Sequence, residues 1–256
     1  MANNVQNYEN QKKWYSFKEY NWFDWYAFTL FFVYSLSVAF FIYDLITALL
    51  KPYGGYYAWT TIDKFTDQSN ILLWFYMLFS IFFKKHSFLK NNQWLLSNLT
   101  YIFFTFIGYN VILVGFAGYQ YGPDPYDAFS SVWYHVISPI TYFIFGFLFF
   151  YLYKDKQPQS YWKSMLKQMV YPSFYVVYIM FIPFVMNTSG MVDNQGQPIG
   201  TYAVYGNFTN LKDKLPVALP VILGMWLIFF PASFAMFYYS WIGFNRSKLF
   251  KNRVSN

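Results

Sequence analysis

Thr66 and His135 are the residues of this 256-residue chain whose types and surroundings point to chemistry. Of the two histidines, His86 lies in a basic polar stretch and reads as a solvated residue, whereas His135 lies inside a long apolar run. An imidazole beside a hydroxyl is a minimal base–nucleophile pair, because a ring nitrogen can take the proton as the oxygen attacks an acyl carbon. An acidic or amide neighbour would hold the ring in one tautomer, as the third member of a triad does. Asp44 and Asn110 are the candidates for that role. The side-chain amides of Gln68 and Asn70 are placed to hydrogen-bond a developing oxyanion. Cysteine is absent, which excludes disulfides and thiol catalysis. One embedded histidine and scattered carboxylates make a poor metal-ligand set, so neither a metal nor another cofactor is expected.

Each of these residues also has a purely structural reading. A threonine at the head of a helix commonly caps it. A buried histidine, like Asn98, Thr100 and Asn110, can simply tie helices together. Asp44 can face an outer aqueous vestibule or satisfy a helix end.

The elements that position these residues follow from composition. The chain is 57% hydrophobic and 27% aromatic, but only 11% charged. Soluble domains carry roughly a quarter charged residues, so this chain could not coat a water-exposed globule. It reads as an all-α, polytopic integral membrane bundle forming a single membrane domain over residues 1–256. Apolar runs long enough to cross a bilayer lie at 25–50, 95–116, 129–153, 165–186 and 215–244. A further run at 66–83 is long enough only if it begins near Phe65, which draws Thr66–Asn70 into its first turns. The interior prolines Pro139, Pro172, Pro183 and Pro231 are tolerable in such helices, because neighbouring helices re-satisfy the freed backbone groups. No cleavable signal peptide, separate soluble domain, heptad repeat or internal repeat is apparent.

Lysine and arginine set the orientation. Lys12, Lys13, Lys18, Lys84, Lys85, Lys90, Lys154, Lys156, Lys163, Lys167, Arg246, Lys248, Lys251 and Arg253 fall on one side. Lys51, Lys64, Lys212 and Lys214 are left for the other. The positive-inside rule therefore predicts six spans with both termini cytoplasmic. The same accounting assigns the formal charge of +7 to the membrane surface rather than to nucleic acid. The composition fits an AT-rich bacterial genome, and the expected location is the bacterial cell membrane. On this topology Asp44, Thr66, Gln68, Asn70, Asn110 and His135 all come to the outer half of the bundle. Ionisable and amide groups at such depth are costly and mark functional positions. The outer segment 187–215 is either a lid or a connector.

Three stretches carry a family resemblance. Tyr53-Gly54-Gly55 is followed by Phe65-Thr66-Asp67-Gln68-Ser69-Asn70 and an apolar run, and span four holds Trp133-Tyr134-His135 ahead of Ser138-Pro139. Together, over about Asp24–Tyr153, these resemble the androgen-induced-gene type of six-pass membrane proteins and their predicted bacterial relatives. The eukaryotic members are intramembrane threonine hydrolases of fatty acid esters of hydroxy fatty acids. The resemblance implies a nucleophile at Thr66 and a base at His135, the pair that depth had already singled out.

The expected function is an intramembrane hydrolase of fatty-acyl esters, with membrane lipid and a hydrophobic acyl chain as partners. Two alternatives remain open. One is a transporter or lipid-binding protein that uses the outer polar cluster as a site. The other is a structural membrane protein in which the cluster only joins helices.

Overall fold

Runs of apolar residues with few charges become helices, and those helices organise the molecule. A computed structural model describes residues 20–83, 92–116, 118, 120–122, 124–153, 160–193 and 196–246. His86, the N-terminal lysines Lys12, Lys13 and Lys18, and Lys84, Lys85, Lys90, Lys154, Lys156, Lys248, Lys251 and Arg253 lie outside the described residues. Among the described residues there is no strand, only an isolated antiparallel bridge between Val192 and Pro198.

Five helices are long and apolar enough to cross a membrane: α1 (Trp22–Leu49), α4 (Gln93–Phe116), α5 (Pro125–Leu152), α6 (Tyr161–Val185) and α7 (Leu215–Phe244). Between α1 and α4 lie a short helix, α2 (Gly54–Ile62), and α3 (Phe65–Phe82). The 18 residues of α3 rise about 27 Å at 1.5 Å per residue, and its first turns are polar. It is thus shorter and wetter at one end than the other five.

Helix ends carry local signals. Asn21 caps α1 by accepting from the Phe23 and Asp24 N–H groups, and the Asp24 carboxylate answers on the Asn21 N–H. Asp124 caps α5 through the Asp127 N–H, with Pro125 at the first helical position. After α1 the chain reverses at Tyr53, whose φ of 60° is left-handed, and at Gly54. A Cβ on Gly54 would lie 2.2 Å from the Leu49 carbonyl oxygen, so only glycine lets α2 start against the end of α1.

Helix α4 is the centre of the bundle and packs against α3, α5, α6 and α7. Its residues Leu95 to Ile102 are all buried, whichever way they face, as expected of a helix enclosed on every side. The peripheral helices bury one stripe and leave large apolar side chains outward, among them Phe32, Phe174, Phe181 and Ile228. Such exposed surface suits lipid rather than water.

Three π-turns, with backbone bonding over five residues instead of four, interrupt the α-helices: Gly108–Phe116 in α4, Trp133–Ile137 in α5 and Met225–Phe229 in α7. Wide turns of this kind are rare and occur preferentially at functional sites.

Candidate active site

Span-like helix α3 begins abruptly, because Lys64 precedes it in an extended conformation and makes no side-chain cap. The first N–H, that of Phe65, donates instead to two phenol oxygens, Tyr175 of α6 and Tyr205 of the segment that joins α6 to α7, each at 3.1 Å. Among the described residues the next two N–H groups, of Thr66 and Asp67, meet no acceptor. They are the free donors of a helix N-terminus, where negative charge is favoured.

The Thr66 hydroxyl Oγ1 lies 3.3 Å from His135 Nε2. The other ring nitrogen settles the tautomer. His135 Nδ1 is 2.8 Å from the Ser131 carbonyl oxygen, which can only accept, so Nδ1 carries the hydrogen. Nε2 is then left as an acceptor facing Thr66. The Ser131 hydroxyl, 3.3 Å from Nδ1, donates at 2.8 Å to the Tyr109 phenol oxygen. The Tyr109 ring stacks on the imidazole with centroids 3.5 Å apart and planes 11° apart. His135 is therefore held on one edge and one face, and it is buried.

The amides foreseen as oxyanion donors or ring orienters do other work, and the backbone of α5 explains why. The Ser138 N–H bonds five residues back to Trp133, which releases the Tyr134 carbonyl from the α-helical ladder. Asn70 Nδ2 reaches that carbonyl at 3.4 Å and the Thr66 carbonyl at 2.9 Å. Pro139 has no N–H, so the His135 carbonyl also lacks its usual donor. Asn110 Nδ2 supplies one at 2.8 Å, and its Oδ1 accepts from Tyr121 at 2.6 Å. Both asparagines thus repair the broken ladder around His135. Gln68 is turned away: its Nε2 donates to the Ile62 carbonyl and its Oε1 accepts from Tyr171. Asp44 accepts from Tyr126 at 2.8 Å and ties α1 to α5 rather than touching the imidazole. Thus Thr66 and His135 are brought together, Asn70 and Asn110 brace them through backbone, and Asp44 and Gln68 stand apart. Asn98 joins α4 to the Leu72 carbonyl of α3, whereas Thr100 bonds back to Leu96 within α4.

Sequence reasoning missed Ser131, Tyr109 and Tyr205. Ser131 stands four residues before His135, the spacing at which a helical side chain meets the preceding turn, so that signal was available. The two tyrosines come from distant segments and have no local signature.

Thr66 also opens onto a cavity of about 670 Å³ between α4, α7 and the segment that joins α6 to α7. Tyr109 and Tyr205 line it near Thr66, and most of the remaining wall is apolar, including Phe104, Met225, Phe229 and Met236. Along α7 it runs from Pro220 to Met236, about 24 Å at 1.5 Å per residue. Two of the π-turns form its sides and the third holds His135.

The segment between α6 and α7 contributes Tyr205, Phe208 and Thr209 to the wall and is held by Asp63, the residue after α2. The Asp63 carboxylate accepts from Tyr178 at 2.7 Å and from Tyr202 at 2.8 Å and 2.9 Å. Burial raises this carboxyl above the ordinary carboxylate range, and the phenol donors pull it part of the way back. Among the described residues no group of three or more His, Cys, Asp or Glu side chains is placed to hold a metal ion.

Comparison with known proteins adds kinship. An uncharacterized protein of Mycoplasma pneumoniae, the MG452 homolog, is 41% identical over 177 residues, spanning 69% of each chain. The MG133 protein of Mycoplasma genitalium is 31% identical over 224 residues, 73% of this chain and 82% of its own length. The chain belongs to their family. A second Mycoplasma genitalium relative, MG452, is 42% identical over 178 residues, and the match spans 66% of its length. The family model described as "Protein of unknown function (DUF1600)" matches residues 128–247, from the turn before His135 to the end of α7. No solved structure matches the chain.

Proposed function

We propose that the chain is an intramembrane hydrolase of fatty-acyl esters, with Thr66 as nucleophile and His135 as base. The observation that carries this reading is the 3.3 Å contact between Thr66 Oγ1 and the unprotonated His135 Nε2 at the edge of an apolar cavity. A hydroxyl is a weak nucleophile until a base stands within hydrogen-bond reach.

In the first step Nε2 takes the Thr66 proton while Oγ1 bonds to the ester carbonyl carbon. The free N–H groups of Thr66 and Asp67 stabilise the resulting oxyanion, replacing the side-chain amides in that role. The intermediate collapses by breaking the bond to the alcohol oxygen, which receives the proton from Nε2. The acyl group now sits on Thr66 as an ester. Water attacks it, giving a proton to Nε2 and its oxygen to the acyl carbon, and the Thr66 oxygen leaves with that proton. The products are a fatty acid and an alcohol. The imidazolium that forms twice is steadied by the Ser131 carbonyl on Nδ1 and by the Tyr109 face, a cation–π contact.

The reading includes six spans, with α3 as the second, and cytoplasmic termini, in keeping with the distribution of lysine and arginine. The resemblance to androgen-induced-gene-type proteins supports the roles of Thr66 and His135. The relatives come from mycoplasmas, whose one membrane is the plasma membrane, and we assign the chain to that location.

The test is hydrolysis of p-nitrophenyl acyl esters by purified protein in detergent, with fluorophosphonate labelling alongside. Wild type is expected to turn over and label, and folded Thr66→Ala and His135→Ala proteins to do neither. An inert, unlabelled wild type, or a Thr66→Ala protein as active as wild type, overturns the reading.

A further inference from the structure

Three carboxylates gather around the head of α3: Asp44 on α1, Asp63 two residues before the helix and Asp67 in its first turn. A carboxylate drawn out of water is tolerable only when donors or a counter-charge meet it. Asp44 accepts from the Tyr126 phenol, and Asp63 accepts from the phenols of Tyr178 and Tyr202. Asp67 is the exception. The residue is only 7% exposed, yet among the described residues its carboxylate accepts no hydrogen bond and makes no ion pair. The field of Lys64, three residues earlier, reaches it, but the lysine side chain is exposed and does not close on it.

A second acceptor stands beside it. Asn70 follows Asp67 by three residues, so the two side chains share one face of α3, with Cβ atoms about 5–6 Å apart. Asn70 Nδ2 points at the Thr66 and Tyr134 carbonyls, at 2.9 Å and 3.4 Å. Two acceptors on that side fix the amide orientation, because the reverse would set oxygen against oxygen. Asn70 Oδ1 is therefore on the other side, where it is fully buried and has no hydrogen-bond partner. A carboxylate and an amide oxygen, both acceptors only, thus stand one helical turn apart without a donor from the described residues. Water could hydrogen-bond to both, but it would leave the negative charge uncompensated in an apolar bundle. A cation meets both needs.

We infer that the Asp67 carboxylate and Asn70 Oδ1 bind a sodium ion where α3 meets α5. One carboxylate balances one positive charge, and neutral oxygens complete the shell of such an ion inside membrane proteins. A divalent ion would call for more carboxylates than this face of α3 carries. The small exposed edge of Asp67 gives the ion a way in. The ion ties the polar first turns of α3 to the bundle, so its effect is on stability, and the site stands apart from the hydrolase reading.

The experiment reads the melting temperature of the purified full chain in detergent as choline chloride is exchanged for sodium chloride at constant ionic strength. Choline is too large for the site and serves as the inert cation. Binding to the folded chain alone predicts that wild type melts about 3–6 °C higher when sodium stands tenfold above its Kd. Asp67→Asn removes the charge and keeps the shape, and it is expected to lose the sodium response while still melting cooperatively. Asn70→Ala removes one ligand and should need roughly tenfold more sodium for the same rise, whatever its own starting Tm. A wild-type Tm that ignores the exchange overturns the inference and points to a proton or a water on Asp67. So does an Asp67→Asn protein that responds to sodium as wild type does, or an Asn70→Ala protein with the sodium dependence of wild type.

Discussion

Replacing Ser131 by alanine separates two ways of holding the imidazole. In triads a side chain orients the ring, and its removal costs about 10⁴-fold in rate. Here the ring nitrogen Nδ1 is 2.8 Å from the Ser131 backbone carbonyl but 3.3 Å from the Ser131 hydroxyl. The Ala substitution keeps the carbonyl and deletes only the longer contact and the 2.8 Å bond to Tyr109. Neutral hydrogen bonds contribute about 0.5–1.5 kcal/mol each, and about 1.4 kcal/mol is tenfold in rate. Two such bonds sum to about 1–3 kcal/mol, so Ser131→Ala is expected to lower kcat/KM by roughly 5–150-fold. Loss of the base in His135→Ala should cost about 10²–10⁴-fold. The assay is initial-rate hydrolysis of a p-nitrophenyl acyl ester by folded protein in detergent, with both variants measured beside wild type. If Ser131→Ala is as inactive as His135→Ala, the carbonyl is not what fixes the tautomer, and the reasoning from the short contact is refuted.

Two further outcomes follow from packing and charge. Asn70→Ala strips the side-chain donor from the Tyr134 carbonyl, and one of two from the Thr66 carbonyl, at a residue only 1% exposed, and about 1–3 kcal/mol of stability should be lost. A thermal melt in detergent that leaves Tm unchanged would show that the Tyr134 carbonyl finds another donor. Asp63 carries a carboxyl whose value is raised on folding, so the folded chain binds its proton more readily than the unfolded chain. Its contribution to stability is therefore greatest below the unfolded carboxyl value and falls as pH rises through the raised one. Asp63→Asn should flatten that part of the Tm-against-pH curve, and an unaltered slope in the variant would count against Asp63 as its source.

The spans were legible because hydropathy acts over twenty residues and tolerates errors at the ends. α7 was expected at 215–244 and is found there, whereas α6 begins at Tyr161, before the expected 165. Tyr161, Trp162 and Lys163 make that first turn amphipathic, so it does not read as an apolar run. Helix α2 went unseen because Gly54–Ile62 is short and rich in aromatic and β-branched residues. At the site, residue chemistry together with depth singled out Thr66 and His135, whose side chains lie 3.3 Å apart. The duties of Asn70 and Asn110 were not legible, because they depend on which carbonyls a π-turn and Pro139 set free. Hydropathy carries no sign of a π-turn, which differs from an α-turn by a single residue.

That single residue has a consequence at the level of the gene. In α5 the segment before the wide turn reaches α1 through Tyr126 and Asp44, and the segment after it through the Ser138–Ser37 and Thr141–Tyr34 contacts. A wide turn takes up one extra residue locally, so the two halves keep the facing they would have in an unbroken α-helix. Losing one codon between 133 and 137 would close it to an ordinary α-turn with both halves still set against α1, but would change which carbonyls beside His135 are left for Asn70 and Asn110. Across relatives, a change in the number of residues here should therefore alter the bracing of His135 before it alters the packing of the bundle.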